Sequence, residues 1–254
     1  MAEVEQLFDK IEKESGTLDI LVNNAYQAVQ AISNNVSKRF YECDPEIWDE
    51  VNNVGLRNHY FCSVFAARIM VKNFSGLIVN ISSAGGLTYF LNVPYGVGKC
   101  AVDRMAQDMA HELKGKGVTV VSLWPSLVKT ELMDKLFKDE DKLRDLQNAS
   151  GAISKISPET MKQNFNDNES TEFPGKAIVA LASDSAVIRK TGRVLLTADL
   201  GDEYGFLDVD GGKPASIRSV SALLKLAGCS FLYPYLPRWI KVPGWVMTAF
   251  TSKL

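Results

Sequence analysis

Four short apolar runs, each closed by turn residues and separated by helical stretches, limit this chain more than any other feature of its 254 residues. Leu18-Asp19-Ile20-Leu21-Val22 stops at Asn23-Asn24. Gly76-Leu77-Ile78-Val79-Asn80-Ile81 closes on Ser82-Ser83. Gly117-Val118-Thr119-Val120-Val121-Ser122-Leu123 is stopped by Pro125, and Arg193-Val194-Leu195-Leu196 is the fourth. Runs of this length with no polar alternation read as strands buried on both faces. The stretches between them have helical spacing: Val4, Leu7, Phe8 and Ile11 before Gly16, then Ile47, Val51, Phe61, Val64, Phe65 and Ile69 after Pro45. A third helix opens at Pro94 with Val102, Met105, Ala106 and Met109, and a fourth covers 174–183. Strands alternating with helices predict an α/β fold, a doubly wound parallel sheet with helices on both faces. In such sheets ligands bind beyond the carboxyl ends of the strands. Asn23, Ser83 and the Pro125 loop all fall there.

The bulk numbers narrow the function by exclusion. The chain is 46% hydrophobic and 23% charged, with a net charge of -2. That balance offers no electrostatic case for a nucleic-acid partner. Two histidines, His59 and His111, are too few for a His-rich metal site, so no metal is expected. Cys43, Cys62, Cys100 and Cys229 form no CxxC pair and read as buried reduced thiols. No stretch reaches the roughly 18 apolar residues of a spanning helix.

The chemistry is concentrated in Val93-Pro94-Tyr95-Gly96-Val97-Gly98-Lys99. Residues four apart on a helix share a face, so Tyr95 and Lys99 project together over the strand ends. A phenol titrates near pH 10, and a neighbouring ammonium should lower that value. The pair would then act as a general acid/base on a developing alkoxide. Ser83 could hydrogen-bond the same oxygen. Hydride transfer at the adjoining carbon would require a cofactor, since no side chain supplies a hydride. A Tyr-x-x-x-Lys spacing alone also fits a solvated helix face.

Joined to one strand ending in Asn23-Asn24, a second in Ser82-Ser83 and a third in Trp124-Pro125, the pattern resembles the short-chain dehydrogenase/reductase family from residue 1 to about 200. Asn23-Asn24-Ala25 is similar to the family's Asn-Asn-Ala-Gly turn. Ser83, Tyr95 and Lys99 match its catalytic serine, tyrosine and lysine. Pro125-Ser126-Leu127-Val128-Lys129-Thr130 is similar to its Pro-Gly-x-x-x-Thr loop. The resemblance implies a Rossmann-like fold and an NAD or NADP cofactor, with preference unread. It places Asn23 on the adenosine side, Lys99 on the nicotinamide ribose, and Val128 and Thr130 on the carboxamide and phosphates. Asn23 also reads as a strand-end turn residue, and Thr130 as a helix cap. The substrate would be a small carbonyl or alcohol. A lip of Leu87, Tyr89, Phe90, Leu91, Leu132, Met133, Leu136 and Phe137 suggests an apolar, steroid-like or xenobiotic one. Pairing of copies through the helix carrying Tyr95 and the one before it follows by analogy.

The pattern is broken in four places. Tyr26 stands where the turn has glycine, and Ser126 follows Pro125 in place of glycine; both read as tolerated. Gly55 stands where many family members carry an asparagine that links the lysine to solvent through water. Asn52 and Asn53 are near, at the wrong helical phase. Finally, no TGxxxGxG turn occurs in the sequence, so the expectation is a chain lacking the first strands, on the order of 60–70 residues of βα units. Such a chain would leave sheet neighbours open. A non-catalytic, truncated isoform that acts through partners or a membrane is therefore the alternative reading.

Residues 201–254 are expected to form an aromatic and proline-rich extension of the 1–200 domain. They either pack on it or touch a membrane surface through Trp239, Trp245, Arg238 and Lys241. The final Ser252-Lys253-Leu254 matches a peroxisomal address. The endoplasmic reticulum and the cytoplasm are the alternatives.

Overall fold

The computed structural model describes residues 1–149, 161–162, 165, 168–226 and 239–251. Its centre is a four-stranded parallel sheet in the order β1 (Ile20–Asn23), β2 (Gly76–Ile81), β3 (Val118–Trp124), β4 (Val194–Leu196). The register pairs Ile20 with Leu77, Leu77 with Thr119, and Leu123 with Leu195. All four expected strands are present. Every residue of β3 is buried, which explains its unbroken apolar run.

Successive strand residues feed opposite faces. Ile78 and Val120 join one core with Phe8, Ala66, Ile69, Met70 and Ala106. These come from α1 (Ala2–Ser15), α4 (His59–Lys72) and α5 (Val93–Glu112). Leu77, Val79, Val121 and Leu123 join the other, with Ala177 and Leu181 of α8 (Glu172–Ser183) and Leu200 of α9 (Thr197–Tyr204). Both faces of β2 and β3 are thus covered, as a doubly wound sheet requires, whereas Ile20 and Val22 of β1 are exposed, against the expectation of burial on both faces.

Between β1 and α4 the chain forms α2 (Val29–Asn35), α3 (Ile47–Asn52) and a π-helical stretch, Asn53–Asn58. After β3 come α6 (Glu131–Lys138) and α7 (Glu140–Ala149). Phe137 and Leu143 on these helices join Met161, Phe165 and Val36 in a separate apolar cluster. Phe137 stacks on Phe165 at 4.4 Å. It therefore belongs to the interior of this flap, not to an exposed lip.

The expected division at residue 200 falls inside α9, which the turn-rich sequence beyond Gly201 did not announce. Arg218 donates to Asp199 at 2.8 Å, and Lys241 pairs with Asp199 and Asp202 at 2.6 and 2.7 Å. These contacts clip the segment around α10 (Val220–Leu226) to α9. Trp239 and Trp245, at the start of α11 (Gly244–Thr251), are 78% and 72% exposed. Arg238 and Ser252-Lys253-Leu254 lie outside the described residues. The thiols depart from expectation: Cys43 and Cys62 are half-buried and Cys100 is exposed, with Cys229 outside the described residues.

Candidate active site

The carboxyl end of β2 hands its chain to two serines with different tasks. Ser82 is buried, and its hydroxyl donates to the Lys99 carbonyl at 3.1 Å, fastening β2 to α5. Ser83 is extended, and its Oγ accepts the Gly85 N–H at 3.1 Å. That fixes the hydroxyl beside the next turn of chain. Opposite it, α5 begins with Asn92, whose side chain accepts the Tyr95 N–H at 2.9 Å, and with Pro94 in the first turn. Both are strong helix-start devices. Tyr95 is thereby held at the first turn of a 20-residue helix, over the strand ends.

Ser83 lies close enough to Tyr95 to pull its phenol pKa down. Burial nevertheless raises the phenol above its ordinary value, and Ser83 offsets only part of that. The expected lowering by Lys99 is not what this geometry produces. The Lys99 ammonium sits 6.0 Å from the centre of the Tyr95 ring and donates to the Ile81 carbonyl at 3.1 Å. Lys99 is 8% exposed, and burial brings its pKa down to about 8, against the opposing pull of Asp103. The ring of Tyr26 covers it at 4.7 Å and meets Tyr95 edge-on. Phe90 meets Tyr95 edge-on from another side.

Three residues near this centre escaped the sequence reading. Asp103 lies one turn beyond Lys99, continuing the Tyr95–Lys99 stripe; it accepts from Ser122 Oγ and from the Trp124 indole at 2.9 Å. Burial raises its carboxyl, and those bonds and Lys99 counter the rise. The four-residue spacing was the available signal. Tyr26 appeared only as a glycine replacement. Asn52 is buried and turned towards α5, with its amide 3.4 Å from the Pro94 carbonyl. The phase argument against Asn52 assumed one regular helix through Pro45–Lys72, and the π stretch interrupts it.

The remaining predicted residues sit at the same end of the sheet. The Asn23 amide reaches Asn80 Oδ1 at 2.7 Å, Ser63 Oγ at 2.9 Å and the His59 carbonyl at 3.3 Å. It ties β1 to β2 and α4. His59 in turn contacts the Ala25 carbonyl at 3.1 Å, and burial lowers its pKa to about 4. Thr130 caps α6, accepting the Met133 N–H at 3.2 Å, and its own N–H bonds the Val128 carbonyl. Leu91, at φ 64°, is held in the left-handed region while packing against both Phe137 and Ile32 clusters.

A parallel sheet covered by helices, with polar side chains gathered beyond the carboxyl ends of its strands, is the arrangement of a nucleotide-binding doubly wound fold. The short chain dehydrogenase profile matches residues 1–141, and the chain belongs to that family. It is 46% identical to dehydrogenase/reductase SDR family member 1 of Homo sapiens, over 99% of this chain and 78% of that protein. The Mus musculus protein of the same name gives the same figures. Among solved structures, ElxO with NADP bound aligns at a TM-score of 0.61 and 28% identity, covering 76% of this chain and 71% of that one.

Proposed function

We propose that the chain interconverts a carbonyl and a hydroxyl on an apolar small molecule by hydride transfer with NAD or NADP. The observation that carries this is the gathering of Ser83, Tyr95 and the buried Lys99 ammonium at the carboxyl end of β2, with Ser83 fixed by Gly85, Tyr95 by Asn92 and Lys99 by Ile81. When bound, the nicotinamide supplies or accepts the hydride. Ser83 and Tyr95 converge on one substrate oxygen. Tyr95 gives its proton to that oxygen in reduction and takes it back in oxidation. Lys99, cationic below about pH 8 and 6.0 Å from the centre of the Tyr95 ring, leaves the resting phenol unlowered and would act on the cofactor instead.

The donor set fits the nicotinamide end of such a cofactor. Lys99 spends one of its N–H bonds on Ile81 and retains two for ribose hydroxyls. Thr130 accepts a hydrogen bond as a cap and still has its O–H to donate, beside the Val128 backbone. Asn23 supports the strand end on which this rests. The 254 residues contain no glycine-rich turn for the diphosphate. Leu132 and Tyr89, at 39% and 47% exposure, support an apolar substrate lip.

Titrating NADH and NADPH separately, followed by nicotinamide fluorescence, tests this reading. Saturable binding of one is expected, with Tyr95→Phe retaining it and losing turnover of an apolar ketone. Absence of binding to a cooperatively folded sample overturns it. That outcome favours the non-catalytic alternative, for which the exposed Ile20 and Val22 on β1 offer a partner edge.

Three further expectations belong to the same reading. Pairing of copies is supported by exposed Val93 and Val97 on α5 and Tyr60 on α4, and light scattering of the eluted protein would reveal a monomer. Peripheral membrane contact rests on Trp239 and Trp245, since Lys241 is already ion-paired. Equal pelleting with vesicles after Trp239→Ser and Trp245→Ser removes that idea. A peroxisomal address at Ser252-Lys253-Leu254 is tested by an N-terminal fluorescent fusion with and without these residues. Reticulum labelling by both favours the reticulum instead.

A further inference from the structure

We propose that Tyr26 is a positioning residue for Lys99, its aromatic face holding the ammonium beside Tyr95 while Gly55 supplies the room the ring needs. The inference rests on the catalytic reading of Tyr95 and Lys99. The contact itself is independent of that reading.

The ring is held from several sides. A Cβ placed on Gly55 would lie 2.5 Å from Tyr26 Cδ2 and 2.7 Å from Cε2. Any side chain there would push the ring away. Gly55 thus adjoins the Cδ2–Cε2 edge of the ring, while the ring face meets the Lys99 ammonium at 4.7 Å from its centre and the ring meets Tyr95 at 6.3 Å, edge-on. Val51, Asn52 and Gly98 also line the narrow space beside the ring. An ammonium so enclosed has lost most of its hydration. One hydrogen bond, to Ile81, replaces part of it. The negative face of an aromatic ring replaces more, and does so best where water is excluded.

The Tyr26 hydroxyl contributes nothing visible to this arrangement. It is buried with no hydrogen-bond partner. Burial also raises its pKa, with Tyr95 adding to the rise, so it remains a neutral phenol. The face of the ring therefore does the holding. Other groups acting on Lys99 are the Asp103 carboxylate on the same helix and His59 at the head of α4. Burial keeps His59 uncharged above about pH 4, so Asp103 is the one anion among these.

The test reads Lys99 directly. Protein labelled with 13C at the lysine Cε position is titrated by NMR, with Lys99→Arg assigning the signal. In Tyr26→Phe the Lys99 pKa is expected to stay at the wild-type value. In Tyr26→Leu, which keeps apolar bulk and removes the π face, it is expected to fall by about one pH unit. Gly55→Ala, which crowds the Cδ2–Cε2 edge and displaces the ring, should move it in the same direction. An unchanged value in Tyr26→Leu overturns the proposal. A raised value overturns it too, because the ring would then have acted only as a plug against water. NADH and NADPH titrations on the same samples separate the two readings. If the wild type binds neither while Tyr26→Leu still lowers the Lys99 pKa, the catalytic reading fails and the contact stands.

Discussion

The ring of Tyr95 occupies the space in which a side chain on Gly85 would begin: a Cβ there would come 2.5 Å from Tyr95 Cε1. Gly85 also donates its N–H to Ser83 Oγ, so one glycine sets both proposed reacting hydroxyls. Its backbone has no positive φ, and alanine is conformationally acceptable there. Gly85→Ala should therefore fold and misplace Tyr95. Turnover of an apolar ketone is expected to fall about 10- to 100-fold, the cost of a small misalignment. Steady-state rates beside a melting curve check this. Unchanged turnover would mean that Tyr95 need not sit where this structure holds it.

The Lys99 value of about 8 sets a pH limit on the proposed reaction. If the cation is required, the reduction rate declines as pH rises through about 8. Removing the charge of Asp103 withdraws the main influence that opposes burial. Asp103→Asn retains an oxygen for Ser122 and Trp124, so its effect should be mostly electrostatic. The alkaline limb of the rate profile is expected to shift towards lower pH. A limb that does not move would show that another group controls it. The stability consequence has the opposite sense. Between about pH 8 and 10.5 the native state holds fewer protons than the unfolded chain, so Lys99 makes stability rise across that window.

β2 and β3 were readable because burial on both faces leaves apolar runs that no surface element tolerates; β1 carries such a run although its Ile20 and Val22 are exposed. Tyr95 and Lys99 were readable because four residues make one helical turn. Asp103 continues that turn and was missed because a carboxylate on a helix ordinarily faces water. The Tyr26–Gly55 fit was not readable. Each residue looked like an isolated departure, and their complementarity exists only once the β1–α2 loop lies against the π stretch. That stretch also defeated the phase argument for Asn52. Phe137 looked like a lip residue because periodicity reveals an apolar face but not which neighbour covers it. Phe165, far along the chain, is that neighbour.

Asn23 is a junction in which one amide serves three acceptors. Asn23→Ala leaves Asn80 Oδ1 and Ser63 Oγ short of a donor in a buried place. Asn80 already has a buried amide nitrogen without a partner. The expected loss is about 2–4 kcal/mol by denaturant unfolding. A double-mutant cycle with Asn80→Ala should give a coupling of about 1 kcal/mol or more. Additive losses would mean the two amides do not act together.

Glu169 makes the clearest pH prediction. It is fully buried and accepts hydrogen bonds from Thr197 Oγ1 and from the Ser126 N–H at 3.1 Å. It thus ties the Pro125-Ser126 loop to the start of α9. Its second oxygen has no partner. Burial raises the carboxyl to about 7; the two hydrogen bonds oppose this, and Asp208 adds to it. The native state therefore holds this proton more tightly than the unfolded chain, whose value is near 4.5. The resulting stabilisation is complete below about pH 4.5 and is lost as pH rises through about 7. Its size is on the order of 3 kcal/mol. Glu169→Gln keeps an acceptor for both donors and cannot ionise. The difference in unfolding free energy, variant minus wild type, should grow from pH 5 to pH 8. Taking the difference removes His59, whose lowered pKa acts oppositely in both proteins over the acid part of that range. A difference constant with pH would mean that Glu169 does not titrate there.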